Sequence, residues 1–189
     1  MKKIVFLIFV MILPTVKGQD SKVAMSIGYP VTMGDNFFNR NEGAVDVGVK
    51  YTFSDAKVVH LGVAINAAFF NYENAGISTK ENVMILQPKV VAELNVPALK
   101  GFKPFLGVGY AAFSFRSEFD NGNQVIEEDD DTGGLNLNVG LVKDIVAGLF
   151  VNVQYDYMNI ERSDTSVPAT EEGFYKNVNI LKFGVGYRF

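Results

Sequence analysis

Three groups of residues in this sequence could carry chemistry. The first is a set of opposed charges spread along the chain: Asp46, Lys50, His60, Lys89, Glu93, Asp156, Lys182 and Arg188. Gathered away from water they would have to pair, because an isolated buried charge is costly. The second is the acidic run Glu127-Glu128-Asp129-Asp130-Asp131. Clustered carboxylates can hold a hard cation through oxygen. The D-x-[DN]-x-[DN]-G spacing of a calcium loop is absent, and a solvated, self-repelling stretch is the plainer reading. The third is His60, the one histidine of the chain. A hydrolytic site would need it beside a serine that it activates, and Ser114 and Ser117 are the serines to weigh against it.

Which of these groups can meet depends on the elements that carry them. Residues 181–189 read LKFGVGYRF. Leu181, Phe183, Val185, Tyr187 and Phe189 fall on one face of a strand, and Lys182, Gly184, Gly186 and Arg188 on the other. The same alternation recurs along the chain. It predicts strands at about 22–30, 44–53, 58–72, 82–95, 103–116, 133–142, 148–160 and 181–189. Val45, Val47, Val49, Tyr51 and Phe53 form the cleanest stripe, opposite Ala44, Asp46, Gly48, Lys50 and Thr52. Pro88 interrupts the fourth strand, where a ladder donor is lost and a bulge is one outcome.

One face of every strand is large and apolar, and the other is small, amide-bearing or charged. This pattern describes a barrel in lipid, apolar outside and polar inside. A soluble lipocalin-like barrel is the alternative. The small and charged face, rich in glycine, is a poor solvated exterior. The expected fold is therefore all-β, an eight-stranded antiparallel up-and-down transmembrane β-barrel. By parity the eight opposed charges point inward. An eight-stranded barrel is just wide enough for side chains to fill. The expectation is an interior salt-bridge network that plugs the lumen, with Lys89 and Glu93 near Asp46 and Lys50 or Asp156. A water-filled pore is the alternative, and the inward glycines are its best argument.

The connections alternate in length. Residues 54–57, 96–102 and 143–147 are short, and 31–43, 73–81, 117–132 and 161–176 are long. Outer-membrane barrels have short periplasmic turns and long outer loops, which puts both termini in the periplasm. Tyr51, Phe53, Tyr187 and Phe189 at one rim, and Phe69, Tyr110, Tyr155 and Tyr157 at the other, are candidate interfacial girdles. His60 then starts its strand at the periplasmic end, far from Ser114 and Ser117, so no enzyme is expected. Asp120-Asn121-Gly122-Asn123 is a hairpin turn signal. It predicts that strands five and six continue above the membrane. The outer contact candidates are Phe119, Asn121, Gly122, Glu127, Glu128, Asp129, Asp130 and Asp131. Phe37-Phe38 with Arg40, and Gly173-Phe174-Tyr175, are expected to pack on the rim rather than enter the headgroup region.

The first residues agree with export. Lys2 and Lys3 precede the apolar run Ile4–Leu13, then Pro14 and Val16-Lys17-Gly18. This is signal-peptide architecture, too short to span as a helix. The expected domains are 1–18 as signal peptide and 19–189 as barrel. Cleavage there removes three lysines and no acid, leaving 14 basic against 21 acidic side chains, a balance of −7. That acidity argues against nucleic acid as partner. The chain has no cysteine, so neither disulfide nor lipid anchor is available.

The segments KPFLGVGYA (103–111) and FGVGYRF (183–189) resemble the small outer-membrane barrels of Gram-negative bacteria, of the OmpA transmembrane-domain and OmpX type. The resemblance covers the whole mature chain. It implies that Phe183, Tyr187 and Phe189 are read by the barrel-assembly machinery, and that the barrel sits in the bacterial outer membrane among lipid and lipopolysaccharide. A monomer with no cofactor is expected and, unlike full-length OmpA, no peptidoglycan-binding domain after the barrel. The function expected is structural or surface-interacting and adhesion-like, through an extracellular protein partner. A narrow porin for ions or small solutes is the alternative.

Overall fold

The computed structural model describes residues 22–56, 58–74, 79–120, 125–146, 148–161 and 172–189. They form eight strands: β1 (Val23–Met33), β2 (Glu42–Ala56), β3 (Val59–Asn74), β4 (Thr79–Leu94), β5 (Phe102–Asp120), β6 (Val125–Val146), β7 (Leu149–Glu161) and β8 (Asn177–Arg188). Each pairs antiparallel with the next. β1 closes the ring on β8, from Ala24↔Arg188 to Met33↔Asn179. Closure leaves no strand edge around the body of the barrel, and it explains how a wall this apolar avoids edge-to-edge association. No described helix is long and apolar enough to cross a membrane.

The alternation in the sequence becomes two surfaces. Ile27, Val47, Val63, Leu106, Leu137 and Val185 are exposed in a continuous outer belt. Their sequence neighbours on the same strands point inward. The tyrosines toward the loop end of the belt tie down their hydroxyls. Tyr155 donates to Asn179 Oδ1 at 2.6 Å, and Tyr157 to Asn177 Oδ1 at 2.8 Å.

At the end that carries the termini the connections are tight. Between β6 and β7, Gly148 adopts φ +86°, and a Cβ there would stand 2.7 Å from the Arg188 carbonyl oxygen. Glycine is thus required twice, for the left-handed backbone and for the close approach. Between β4 and β5 a 3-10 turn, Pro97–Leu99, ends in Lys100 and Gly101, both at positive φ.

Pro88 makes no bulge. The β4–β5 register is the same on either side of it, Leu86↔Ala112 and Lys89↔Gly109, and Ile65 pairs with it on β3. Its ring lies on the exposed outer face, so the strand loses one donor but no geometry. The register shifts fall elsewhere, at Gly43/Val45, Thr52/Ser54 and Asp144/Val146.

The opposite end of the barrel is uneven. β5 and β6 run 19 and 22 residues, about twice what a tilted strand needs to cross a bilayer. They stay paired to Asp120↔Val125, whereas β7 joins β6 only from Gly133↔Glu161 onward. Residues Val125–Thr132 thus extend past β7 by about 27 Å of strand. The acidic run 127–131 belongs to this strand, not to a loop.

Candidate functional site

The lumen is filled in three layers. The middle layer is a polar ladder. Lys182, on β8, donates to Asp46 Oδ2 on β2 at 2.7 Å and to Gln87 Oε1 on β4 at 2.5 Å. Its ammonium also lies 3.1 Å from Asp156 Oδ2 on β7. Asn66 of β3 donates to Asp46 Oδ1 at 2.8 Å, and Asn138 of β6 to Asp156 Oδ1 at 2.6 Å. Lys89 stands 3.7 Å from Asp156. Six of the eight strands are thereby joined through one buried network, with side chains of Lys182, Asp156 and Lys89 at most 2% exposed. Each buried charge faces an opposite one, the condition under which burial is tolerable.

Toward the terminal end a second cluster gathers on Glu93. Lys50 reaches its Oε2 at 2.5 Å, and Arg188 and His60 approach Oε1 at 3.3 and 4.0 Å. Arg188 also bonds Asp144, which takes Lys103 at 2.7 Å. The Arg188 guanidinium lies 4.8 Å from the Phe150 ring centroid. Phe105, Val142, Phe150, Val91 and Ala24 pack around this cluster. A cavity of about 60 Å³ remains between it and the ladder.

The loop-end layer is apolar. Phe38 is fully buried, with ring centroids 5.0 Å from Phe70, 5.8 Å from Phe113 and 6.4 Å from Phe115. Ile85, Met158, Ile160, Val178 and Ile180 complete it. The 3-10 turn Phe37–Arg40 presents Phe38, and Asn36 caps that turn by accepting from the Phe38 N–H at 3.0 Å. Arg40 anchors it on Glu81 at 2.7 Å and lies over the Tyr72 ring.

This layer corrects the expectation of an interior polar throughout. Phe70, Ile85, Phe113, Met158 and Ile160 lie within the strands that the alternation predicts, and Val178 and Ile180 come from the earlier start of β8; toward the loop end the inward face turns from polar to hydrophobic. Phe38 enters the barrel mouth rather than resting on the rim. Phe174, expected to pack, stays 38% exposed on the short helix Glu172–Lys176, edge-to-face with Tyr175.

All eight charges of the first group line the lumen, but in two clusters rather than one. Asp46, Lys89, Asp156 and Lys182 share the ladder, and Lys50, His60, Glu93 and Arg188 lie toward the terminal end. Gln87, Asn66, Asn138, Asp144 and Lys103 are further members. Parity put the three amides inside, yet an uncharged group carries no pairing demand that sequence reasoning would register. Asp144 sits where a turn was expected.

Ser114 pairs with Met84 and Asp131 at the loop end, so His60 is not brought near it. Phe183 and Tyr187 lie on the exposed outer face, with Phe189 edge-on to Tyr187 at 5.1 Å. Of the contact candidates, Asn121 and Gly122 lie outside the described residues, and Phe119 is described by its backbone pairing to Ile126 and Thr79. Asp129 bonds Arg116 on the outer surface at 3.1 Å, while Glu128 and Asp130 line a vestibule of about 230 Å³ with Phe37, Arg40, Glu81 and Phe115. Among the described residues no group of three His, Cys, Asp or Glu side chains is arranged to hold a metal ion.

A closed eight-stranded ring with an apolar exterior and a paired polar lumen is the architecture of outer-membrane barrels. The family model for the outer membrane protein beta-barrel domain matches residues 4–189. The chain belongs to this family. Solved outer-membrane barrels share its fold at low identity. Ail, the attachment invasion locus protein of Yersinia pestis, matches with TM-score 0.60 and 13% identity over 88% of this chain and 97% of Ail. The neisserial surface protein A matches with TM-score 0.55 and 15% identity, over 88% and 96%. The N-terminal barrel of OprF from Pseudomonas aeruginosa gives 0.54 and 14%, over 88% and 96%. Ail has also been solved with the heparin analogue sucrose octasulfate. No curated protein matches the sequence. This outer-membrane barrel therefore shares its architecture with barrels from several bacteria, and the likeness extends to fold alone.

Proposed function

We propose that this outer-membrane barrel is a sealed, non-enzymatic surface protein that contacts an extracellular protein through the raised β5–β6 hairpin. The observation that carries the reading is the stretch Val125–Thr132. It has backbone pairing to β5 but no strand partner on its β7 side among the described residues. A row of unpaired amides and carbonyls is a template for an added strand. Val125 and Ile126 are 60% and 51% exposed at its tip.

The hairpin's acidity specifies the partner's sign. Glu127 to Asp131 favours a basic segment. Ail's heparin analogue is a polyanion, which this hairpin would repel. The orientation follows from loop length, with both termini in the periplasm and the hairpin outside. Export begins with removal of residues 1–18, assembly reads Phe183, Tyr187 and Phe189, and the folded barrel is a monomer in lipid and lipopolysaccharide.

A narrow porin is the competing reading. The cavity on the terminal side of the ladder favours it for half the distance. The ladder and the Phe38 layer oppose it for the rest. Replacing residues 117–130 with a two-residue turn tests the main reading. Cells carrying the shortened, correctly inserted barrel are expected to lose binding to basic extracellular proteins in a pull-down. Unchanged binding would refute the hairpin's role.

A further inference from the structure

The vestibule above the Phe38 layer has a wall of two kinds. Phe37, Phe115 and Ile160 are apolar, and the charged residues are Arg40, Glu81, Glu128 and Asp130. Arg40 is engaged by Glu81 at 2.7 Å and lies 5.0 Å from the Tyr72 ring centroid. Glu81 is 7% exposed. Its Oε2 takes the Arg40 bond, and its Oε1 accepts no hydrogen bond among the described residues. Neither Glu128 nor Asp130 has an ion-pair partner among the described residues. Lys80 and Arg116 sit on the outer face with Glu73 and Asp129, and Lys176 is not on this wall.

The parity of β6 delivers two of these carboxylates. Asn136 and Asn138 are buried in the lumen, so Glu128 and Asp130 fall on the inner side of the strand and Glu127, Asp129 and Asp131 on the outer. The same residues lie on the free edge of β6, which β7 does not pair before Gly133. A strand added to that edge places alternate side chains beside Glu128 and Asp130, on the vestibule side. Among the described residues no three carboxylates are arranged to hold a metal ion. The vestibule of about 230 Å³ is also far larger than one water needs. It suits a cation with an apolar body.

We propose that the vestibule receives a lysine side chain carried by the strand that docks on β6. The ammonium sits among Glu81, Glu128 and Asp130, and the stem lies along Phe37, Phe115 and Ile160. The inference rests on the docking role of the raised hairpin and adds the residue that the hairpin selects. A lysine stem covers apolar surface, and its compact charge turns three donors to separate carboxylates. An arginine fork matches a single carboxylate, and Arg40 already holds that place on Glu81. The docking strand is therefore read at alternate positions, with lysine where it faces the vestibule.

n-Butylammonium chloride carries the lysine head and stem without a backbone, so it tests the recess apart from the strand edge. The refolded mature barrel, isotope-labelled at phenylalanine rings and isoleucine methyls, is titrated in detergent micelles and followed by NMR. Sodium chloride at equal ionic strength is the control. Saturable shifts of the Phe37, Phe115 and Ile160 signals are expected with butylammonium and not with sodium. Glu128→Gln with Asp130→Asn is expected to raise the apparent Kd at least about tenfold. Glu127→Gln with Asp131→Asn, an equal change of charge on the outer face, is expected to leave it within about twofold. Both pairs replace exposed carboxylates by amides of the same shape, which leaves the fold intact. No saturable shift in the wild type, or equal weakening by the two pairs, would overturn the lysine recess. Either result would leave strand pairing on β6 standing, because that pairing needs only backbone groups and is tested separately by replacing the hairpin.

Discussion

Lys182 Nζ and Asp46 Oδ2 lie 2.7 Å apart inside the barrel, although 136 positions separate the two residues in the chain. β8 and β2 are not neighbours, since β1 stands between them. The bond therefore spans a strand across the lumen rather than running along the wall. Ring closure brings the two ends of the sequence together, and the ladder holds them there.

Lys182→Met would leave Asp46 without its cation and Asp156 with Lys89 alone at 3.7 Å. Breaking a buried pair by removing one partner costs about 3–5 kcal/mol. A lowered urea midpoint for the refolded barrel is expected. The double variant Asp46→Asn with Lys182→Gln, which removes the pair as a unit, is expected to recover part of the loss.

Phe38→Ala tests the apolar layer. Truncating a fully buried phenylalanine costs about 3–5 kcal/mol through lost contacts and a residual cavity. That loss in stability is expected with no gain in conductance, because the ladder beneath still fills the lumen. Urea unfolding and bilayer recordings on the same preparation read both quantities.

Much of this was legible in the sequence, and the failures have physical causes. Period-2 alternation identified all eight strands because one face meets lipid and the other a narrow lumen, so neither tolerates the wrong side chain for long. Strand ends were less legible. Beyond the apolar belt the outer face no longer needs to be apolar, and Glu127–Asp131 then resembles a loop although its backbone stays paired with β5. The late predicted start of the last strand hid Val178 and Ile180, whose inward parity follows from Lys182; Met158 and Ile160 lay within the predicted seventh strand, on the parity of Asp156. Phe38 carried no periodic signal, because a 3-10 turn of four residues delivers it. Which charges pair was legible only in part: Glu93 meets Lys50 and Lys89 meets Asp156, as expected, but the bond of Lys182 to Asp46 was not foreseen, since pairing across the lumen depends on barrel stagger rather than on spacing along a strand.

Gly148→Ala places a Cβ at φ +86° and 2.7 Å from the Arg188 carbonyl oxygen. The left-handed backbone alone costs about 1–2 kcal/mol in an L-residue, and the contact adds to it. A lowered urea midpoint is expected, whereas Gly173→Ala, whose Cβ meets nothing closer than 3.5 Å, is expected to match the wild type.

Arg116→Ala removes an ion pair in which both side chains are largely exposed, 65% and 69%. Solvent and salt screen such exposed pairs, so stability should barely move. The hairpin becomes one charge more negative, and its affinity for a cationic partner should rise at low salt and converge with the wild type at high salt. Binding measured across a salt series distinguishes this from a structural effect.

The central claim is that the lumen is sealed and that function lies in what stands above it. Single-channel recording of the refolded mature protein, with insertion verified, tests it most directly. A silent bilayer is the predicted result. Stable, salt-dependent current steps would contradict the sealed barrel and make solute passage the function.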